Sequence, residues 1–334
     1  ADEKVMSLRC GPDGNPAYPV GVRSPIVNGI LEHGRRYGAN GIYRTVYLHL
    51  QEEFRPDYDV VLFEYDWRED PAESAKKLDA FVKKSGYREL ILVAHSMGGL
   101  VASQFLALGE DQVRSVRKLI GFGIPFLGTE KAADVFFSGD ALDVKYFGID
   151  VADLLLAGCF RSVMTNFASV YALLPGKTNF RPFLRYTDGE GADRIPASYE
   201  ETYGVFAAAV PGWNAGLFRS AQDNCEHLFT YNRHIAESVP TYLVVGTGID
   251  TPSLLHIRIH ASGAYSETVE YRTPDGDGYV GTRSSMPEGL PGNPDRLLVK
   301  NPPKDIYAGH IPMVEFASQD RGIALKFLDR AIKE

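Results

Sequence analysis

The chain has 334 residues, of which 35 are basic and 43 acidic, giving a formal net charge of −8, and 44% are hydrophobic. That length buries a large core, as one α/β domain with an inserted subdomain or as two domains. The acidic balance without a basic run argues against a nucleic-acid partner, and no stretch approaches the roughly 20 apolar residues of a transmembrane helix.

Residues 1–40 are rich in Gly, Pro and Arg, with turn chemistry at Gly11-Pro12-Asp13-Gly14-Asn15-Pro16, and read as a long surface arm. Apolar spacing through Tyr43, Val46, Tyr47 and Leu50 predicts a helix over 43–53. Asp59-Val60-Val61-Leu62-Phe63 then predicts a strand, followed by Tyr65-Asp66-Trp67-Arg68. Asp70-Pro71-Ala72-Glu73 opens the next helix with a cap residue, a first-turn proline and an acid three residues after the cap. Leu78, Phe81 and Val82 lie on one face of that helix, which ends at Gly86.

Leu90-Ile91-Leu92-Val93-Ala94 is an apolar run that stops at His95-Ser96-Met97-Gly98-Gly99, and Leu100, Val101, Phe105, Leu106 and Leu108 follow at helical spacing. Strand, sharp turn and helix in that order form a nucleophile elbow, which exposes a serine hydroxyl on a strained turn with small residues two before and two after it. Ala94 and Gly98 meet that need. The helix beyond aims its positive end and the Met97 N–H at the place where an oxyanion would form.

Leu119-Ile120-Gly121-Phe122-Gly123-Ile124 predicts another strand, left by the loop Pro125-Phe126-Leu127-Gly128-Thr129. The alternation so far implies a mostly parallel sheet with helices on both faces. Residues 130–238 break that pattern. Helical segments such as 151–171 are interrupted by Gly, Pro and the aromatics Phe136, Phe137, Tyr146, Phe147, Phe160, Phe167, Tyr171, Phe180, Phe183, Phe206, Trp213 and Phe218. This segment reads as a largely helical cap inserted over Ser96, leaving 1–129 and 239–334 as the core. Its aromatics, taken singly, are core residues more often than pocket residues.

The core resumes with Tyr242-Leu243-Val244-Val245, a ribbon around His256–His260 and Thr268–Tyr271, the turn Asp275-Gly276-Asp277-Gly278, a strand Arg296-Leu297-Leu298-Val299, and a last helix through Val314, Phe316, Ala324, Leu325 and Leu328. A nucleophile elbow takes its partners in the order serine, acid, histidine. His227 and His234 fall in the cap segment and His256 and His260 in the ribbon, so His310, in the loop after the last strand, is the candidate base. Two acids compete: Asp250 follows the strand at 242–246, and Asp277 lies between glycines in a tight turn.

Five pieces together resemble the lecithin:cholesterol acyltransferase family, which includes lysosomal phospholipase and bacterial lipase-like members. They are Tyr65–Arg68, Ala94–Gly99, Ile124–Thr129, Gly246-Thr247-Gly248-Ile249-Asp250-Thr251-Pro252 and Asp275-Gly276-Asp277-Gly278-Tyr279-Val280, and they span most of the chain in the family's order. The resemblance implies the α/β-hydrolase fold and makes Asp277 the acid. Tyr279 departs from the family's usual threonine. Asp66, Trp67 and Arg68 are expected to support the site structurally.

Ser96, Asp277 and His310 with the Met97 N–H thus describe an ester hydrolase working through an acyl-enzyme, and the resemblance points to lipid esters by lipase, phospholipase or transacylase action. A non-lipid esterase or lactonase and a silent binding protein are the alternatives. No cofactor is expected. Cys10, Cys159 and Cys225 lack metal spacing, so no metal is expected either; one disulfide with a free thiol, or three reduced thiols, are both open. Ala1 stands first in place of methionine, so a removed leader and export are allowed by the sequence without being shown.

The second oxyanion donor of this fold comes from a loop after a strand beside the elbow strand, and family members carry there an apolar run with a Pro-Gly-x-x-Gly-Ser-like turn. Nothing before Asp59 fits; Ser24-Pro25-Ile26-Val27-Asn28-Gly29 is the nearest run. The expectation is therefore a companion N-terminal polypeptide, from the same precursor or another chain, that completes the sheet. The alternative is that residues 20–30 do so.

Overall fold

The structure is a computed structural model, and it describes residues 8–17, 30–32, 35–37, 40–138, 161–178, 180–235, 239–287, 295–300, 310, 313 and 322–334. Two short antiparallel strands, β1 (Ile30–Glu32) and β2 (Arg35–Tyr37), precede helix α1 (Asn40–Phe54). Helix α2 (Pro71–Ser85) has the ends its sequence encodes. The Asp70 side chain accepts the Ala72 N–H at 2.8 Å, and Gly86 closes the last turn at φ 76° with its N–H on Val82 O. Strand β3 (Leu90–His95) leads into helix α3 (Met97–Ala107), and helix α4 (Glu110–Ser115) into strand β4 (Val116–Phe122).

Helices α5 (Glu130–Ser138) and α6 (Ala168–Ala172), strands β5 (Leu184–Thr187) and β6 (Asp193–Arg194), and helices α7 (Tyr199–Ala209) and α8 (Ala215–Ile235) make up the described part of the middle segment. Strands β7 (Thr241–Thr247), β8 (Thr251–Ile259) and β9 (Tyr265–Thr273), helix α9 (Thr282–Ser285), strand β10 (Asp295–Lys300) and helix α10 (Gly322–Lys333) complete the chain. Val314 and Phe316, expected in the last helix, lie outside the described residues, as do Cys159 and Ser24–Gly29.

The central sheet runs β10-β7-β4-β3, every pair parallel. Its strands are apolar on both faces because helices cover both, as a parallel sheet requires. Ile120, Phe122 and Val244 pack against Leu325 and Leu328 of α10 on one side. Val116 and Leu119 pack against Leu78 and Val82 of α2 and Val101 and Phe105 of α3 on the other. This is the α/β-hydrolase architecture, and it sets the β3–α3 turn at the carboxyl edge of the sheet.

A second sheet, ordered β6-β5-β8-β9, joins the β8–β9 hairpin to β5 of the middle segment. The ribbon expected around His256 is therefore real, and it pairs outside the central sheet. The middle segment's aromatics are core: Phe136, Phe167, Tyr171 and Phe206 are at most 1% exposed and belong to one cluster with Leu255 and Ile257 of β8.

The strand expected at Asp59–Phe63 does not form. Its residues are apolar enough, but a strand needs a neighbour to hydrogen-bond. Among the described residues the sheet stops at β3, and a cavity of about 600 Å³ separates β3 from 57–65. Just beyond, Arg68 is 1% exposed and is held by Asp66 through Nε at 2.8 Å and Nη2 at 2.5 Å, with Nη1 on Leu8 O at 2.8 Å. Burial raises the Asp66 carboxyl, but the Arg68 hydrogen bonds and charge outweigh it and hold the group below the usual carboxylate range. Removing one partner strands a buried guanidinium. Asp66→Ala is expected to cost about 3–5 kcal/mol, read as a lowered denaturation midpoint with an unchanged m-value; a loss within experimental error would refute the structural role.

Candidate active site

Ser96 connects β3 to α3 at φ 53° and ψ −130°, and among the described residues it is the sole non-glycine with positive φ. Such a conformation costs on the order of 1–3 kcal/mol and persists where packing over-determines it. The packing that does so lies one residue beyond the pair named from sequence. A Cβ added to Gly98 would sit 4.0 Å from Ala94 Cβ, an ordinary contact, whereas one on Gly99 would fall 2.2 Å from Ile124 Cδ1. Gly121 of β4 meets the same atom at 2.3 Å. Both glycines let Ile124 fill the space between α3 and β4.

His310 lies within reach of Ser96. Its Nε2 is 2.8 Å from Ser96 Oγ and its Nδ1 is 2.8 Å from Asp277 Oδ2. A carboxylate only accepts, so Nδ1 carries the proton and Nε2 is free to accept from the hydroxyl. Asp277 is 2% exposed and His310 6%. The carboxylate is fixed by its own turn: Oδ1 accepts the N–H groups of Tyr279 at 3.0 Å and Val280 at 2.8 Å. The turn is tied in place because Gly278 N–H donates to Thr251 Oγ1, Ile249 N–H to Gly276 O, and His310 N–H to Asp277 O. The Tyr279 ring packs 5.4 Å from the His310 ring. Asp250, the competing acid, is exposed at the end of β7. His256 bonds Thr187 in the second sheet, outside this cluster, and positions 227 and 234 belong to α8.

Three residues that sequence reasoning passed over shape this arrangement. Gly123, at φ 53°, stands against the acid–base pair: a Cβ there would fall 2.9 Å from Asp277 Oδ2 and 3.0 Å from His310 Nδ1. A glycine just past a strand end was the available signal. His95 and Tyr43 form a line to the base, with His95 Nε2 2.9 Å from His310 O and Nδ1 2.9 Å from Tyr43 Oη. Burial, and then the charge of His310 beside it, pushes His95 well below the ordinary histidine value. It stays neutral, donating from Nε2 to the carbonyl and accepting from the tyrosine hydroxyl. Nothing in the sequence links Tyr43 to His95. Met97 opens α3 directly after Ser96 and packs with Leu100, Ile124 and Phe126. Cys10 and Cys225 are free thiols, and among the described residues no group of three or more His, Cys, Asp or Glu could hold a metal.

A family model described as lecithin:cholesterol acyltransferase matches residues 31–202, just over half of the chain. The chain belongs to the lecithin:cholesterol acyltransferase family. Its class of chemistry is therefore ester hydrolysis or acyl transfer. No curated protein matches this family member. Among solved structures, it is similar to the Tle4-Tli4 complex at 16% identity, covering 80% of this chain and 67% of that one with a TM-score of 0.49. It is similar to the mature Bacillus licheniformis lipase BlEst2 at 14% identity, over 84% and 82% of the two chains, with a TM-score of 0.37. A membrane phospholipase A described as a bacterial virulence factor is 15% identical over 79% and 64%, with a TM-score of 0.33.

Two outcomes follow from this geometry. Gly123→Ala should push Asp277 and His310 apart, removing the low-field Nδ1 proton resonance of their hydrogen bond while the fold survives; an unchanged resonance would contradict the contact. His95 gives the stability a pH dependence. Below about 6.5 the unfolded chain binds a proton that folded His95 refuses, so stability falls as pH drops, by at most about 1.4 kcal/mol per pH unit. Denaturant titrations between pH 7 and 5 should show that slope reduced in His95→Gln, and identical slopes would refute it.

Proposed function

We propose that this protein is a serine ester hydrolase that forms an acyl-enzyme, with Ser96 as nucleophile, His310 as base, Asp277 as the acid that orients it and Met97 N–H as an oxyanion donor. The observation that carries the reading is the unbroken line Ser96 Oγ, His310, Asp277, with 2.8 Å at each step. Attack on an ester carbonyl moves the hydroxyl proton to Nε2. The resulting imidazolium sits against a carboxylate whose second oxygen two N–H groups already hold, so the acid cannot swing away and the charge is stabilised where it forms. The proton then passes to the leaving alkoxide, and water repeats the sequence to release the acid. The start of α3 and the Met97 N–H face the oxygen on which negative charge develops.

The substrate proposed is a lipid ester, on the strength of the family, with hydrolysis or transfer to an acceptor alcohol as the second step. In that reading residues 130–238 act as the cap over the site. Loop 125–129 connects them to it: Thr129 N–H donates to Leu173 O at 2.8 Å, and Thr129 Oγ1 donates to Tyr279 O beside the acid.

Ser96→Ala and His310→Ala are each expected to lower kcat on p-nitrophenyl esters by on the order of 10⁴-fold or more, with Asp277→Asn also severe and Asp250→Asn mild. A reversed order for the two aspartates would overturn the acid. Fluorophosphonate labelling that survives in Ser96→Ala would overturn the nucleophile. Across a ladder of p-nitrophenyl acyl chains, kcat/KM should rise from acetyl toward long chains; a maximum at acetyl would favour a small-ester hydrolase.

A further inference from the structure

The line Ser96, His310, Asp277 uses both ring nitrogens of the histidine, one on each neighbour. The histidine backbone is used as well, its N–H donating to Asp277 O and its carbonyl accepting from His95 Nε2. What remains of the imidazole is its carbon edge and its two faces. At the edge lies the bare backbone of Gly123, where an added Cβ would fall 3.2 Å from Cε1. Beside the imidazole lies an aromatic ring: the Tyr279 centroid is 5.4 Å from that of His310 and the planes are tilted by 32°, nearer to an offset stack than to an edge-on contact.

The backbone that carries this ring is bonded at each group around it. Tyr279 N–H donates to Asp277 Oδ1 at 3.0 Å, Thr129 Oγ1 donates to Tyr279 O, and the preceding Gly278, at φ 97°, gives its N–H to Thr251 Oγ1. The piece that presents the carboxylate to Nδ1 therefore also presents the ring to the imidazole. A neutral imidazole gains only packing from such a neighbour. With a proton on Nε2 it is a cation, and a cation within about 6 Å of an aromatic centroid is attracted by the negative face of the ring. His95, the other ring against it at 4.6 Å, donates to the His310 carbonyl and is neutral.

We propose that Tyr279 is a positioning residue whose ring stabilises the His310 imidazolium and so speeds both halves of the proposed reaction; this rests on the reading of Ser96 as nucleophile and His310 as base. The ring makes no bond and takes no proton. The Ser96 O–H bond breaks as Oγ bonds the ester carbon, Nε2 holds the proton while the carbonyl oxygen carries the negative charge, and Nε2 then returns the proton to the leaving alkoxide. The cation exists only between those two transfers. The attraction of the ring therefore acts on the transition state and not on the bound ester, so it raises kcat and leaves KM alone. The family's usual threonine keeps the N–H groups of the turn and offers no ring, so this contribution comes from the side chain in which the present sequence departs.

The test varies the charge of the ring face while its shape is held. Phenylalanine and its 4-fluoro, 3,5-difluoro and 3,4,5-trifluoro analogues are placed at position 279, with Tyr279→Leu beside them. For each, kcat and KM are measured on a p-nitrophenyl ester, together with the rate of fluorophosphonate labelling, which passes through the same proton transfer. Tyr279→Leu is expected to lower kcat and kcat/KM together by about tenfold, or about 1.4 kcal/mol of transition-state stabilisation, and Tyr279→Phe to recover most of that loss. Labelling of Ser96 should slow in step and still go to completion. Along the fluorinated series log kcat should fall steadily toward the leucine value, because each fluorine withdraws charge from the face and hardly changes the size. A flat series, with Ser96 fully labelled in the native protein, would overturn this inference alone and leave the ring as packing; the series decides the matter even where Tyr279→Leu folds poorly. Equal rates for Tyr279→Leu and Tyr279→Phe would overturn it as well, and so would a raised KM at constant kcat, which would put the ring on the substrate. Native protein that turns over ester without labelling at Ser96 would fail the nucleophile, and this inference with it.

Discussion

Ile124 occupies the volume that side chains on Gly99 and Gly121 would claim, and the geometry around Ser96 follows from that contact. With no Cβ on either glycine, α3 settles directly onto the end of β4, and Leu100, Leu243 and Val245 close around the isoleucine. The helix start is then pinned on both sides of the turn. Ser96 is held at a backbone conformation that an unconstrained chain would leave, because relaxing it would lift α3 off this cluster. Burying each of those side chains contributes roughly 1.5–3 kcal/mol, which together exceeds the strain of one residue. Two residues on, Gly123 repeats the requirement just past the end of β4, where a bare backbone makes room for Asp277 and His310.

The polar groups obey a similar economy. Each of the two catalytic-type side chains has its second function used up structurally. Asp277 spends one oxygen on its own turn and offers the other to His310; His310 is fixed through its backbone at both ends, by Asp277 O and by His95 Nε2. Burial at a few per cent exposure would make unpaired groups costly, and the hydrogen bonds that satisfy them also set the alignment.

What was legible in the chain was what short-range physics decides. The ends of α2 follow from Asp70, Pro71 and Gly86 because caps act within a turn. The β3–Ser96–α3 unit follows from an apolar run, small residues and helical spacing in direct succession. Pairing is different, because a strand is defined by a neighbour far away in sequence. Asp59–Phe63 has strand composition but, among the described residues, no partner, and the β8–β9 hairpin was recognisable as a ribbon without revealing that β5 is its neighbour. Local pattern left both Asp250 and Asp277 as candidates. They differ in what surrounds them: Val280, Tyr279, Thr251 and Ile249 converge on the second and not on the first. Tyr43 and His95 were invisible for the same reason, since 52 positions separate two groups joined by one hydrogen bond.

Thr251 is at once the first residue of β8 and the acceptor for the Gly278 N–H, and Arg272 near the end of β9 holds Asp250 O across the same hairpin base. The turn that carries Asp277 is thereby tied to the second sheet, whereas Ser96 lies at the end of β3 in the first. The second sheet has only short β5 and shorter β6 beyond its hairpin. Fraying of that sheet would release the carboxylate while β4 and β7 are still intact. On the proposed mechanism, activity would then be lost on heating before the central sheet melts, and the β8–β9 hairpin would set the temperature of that loss.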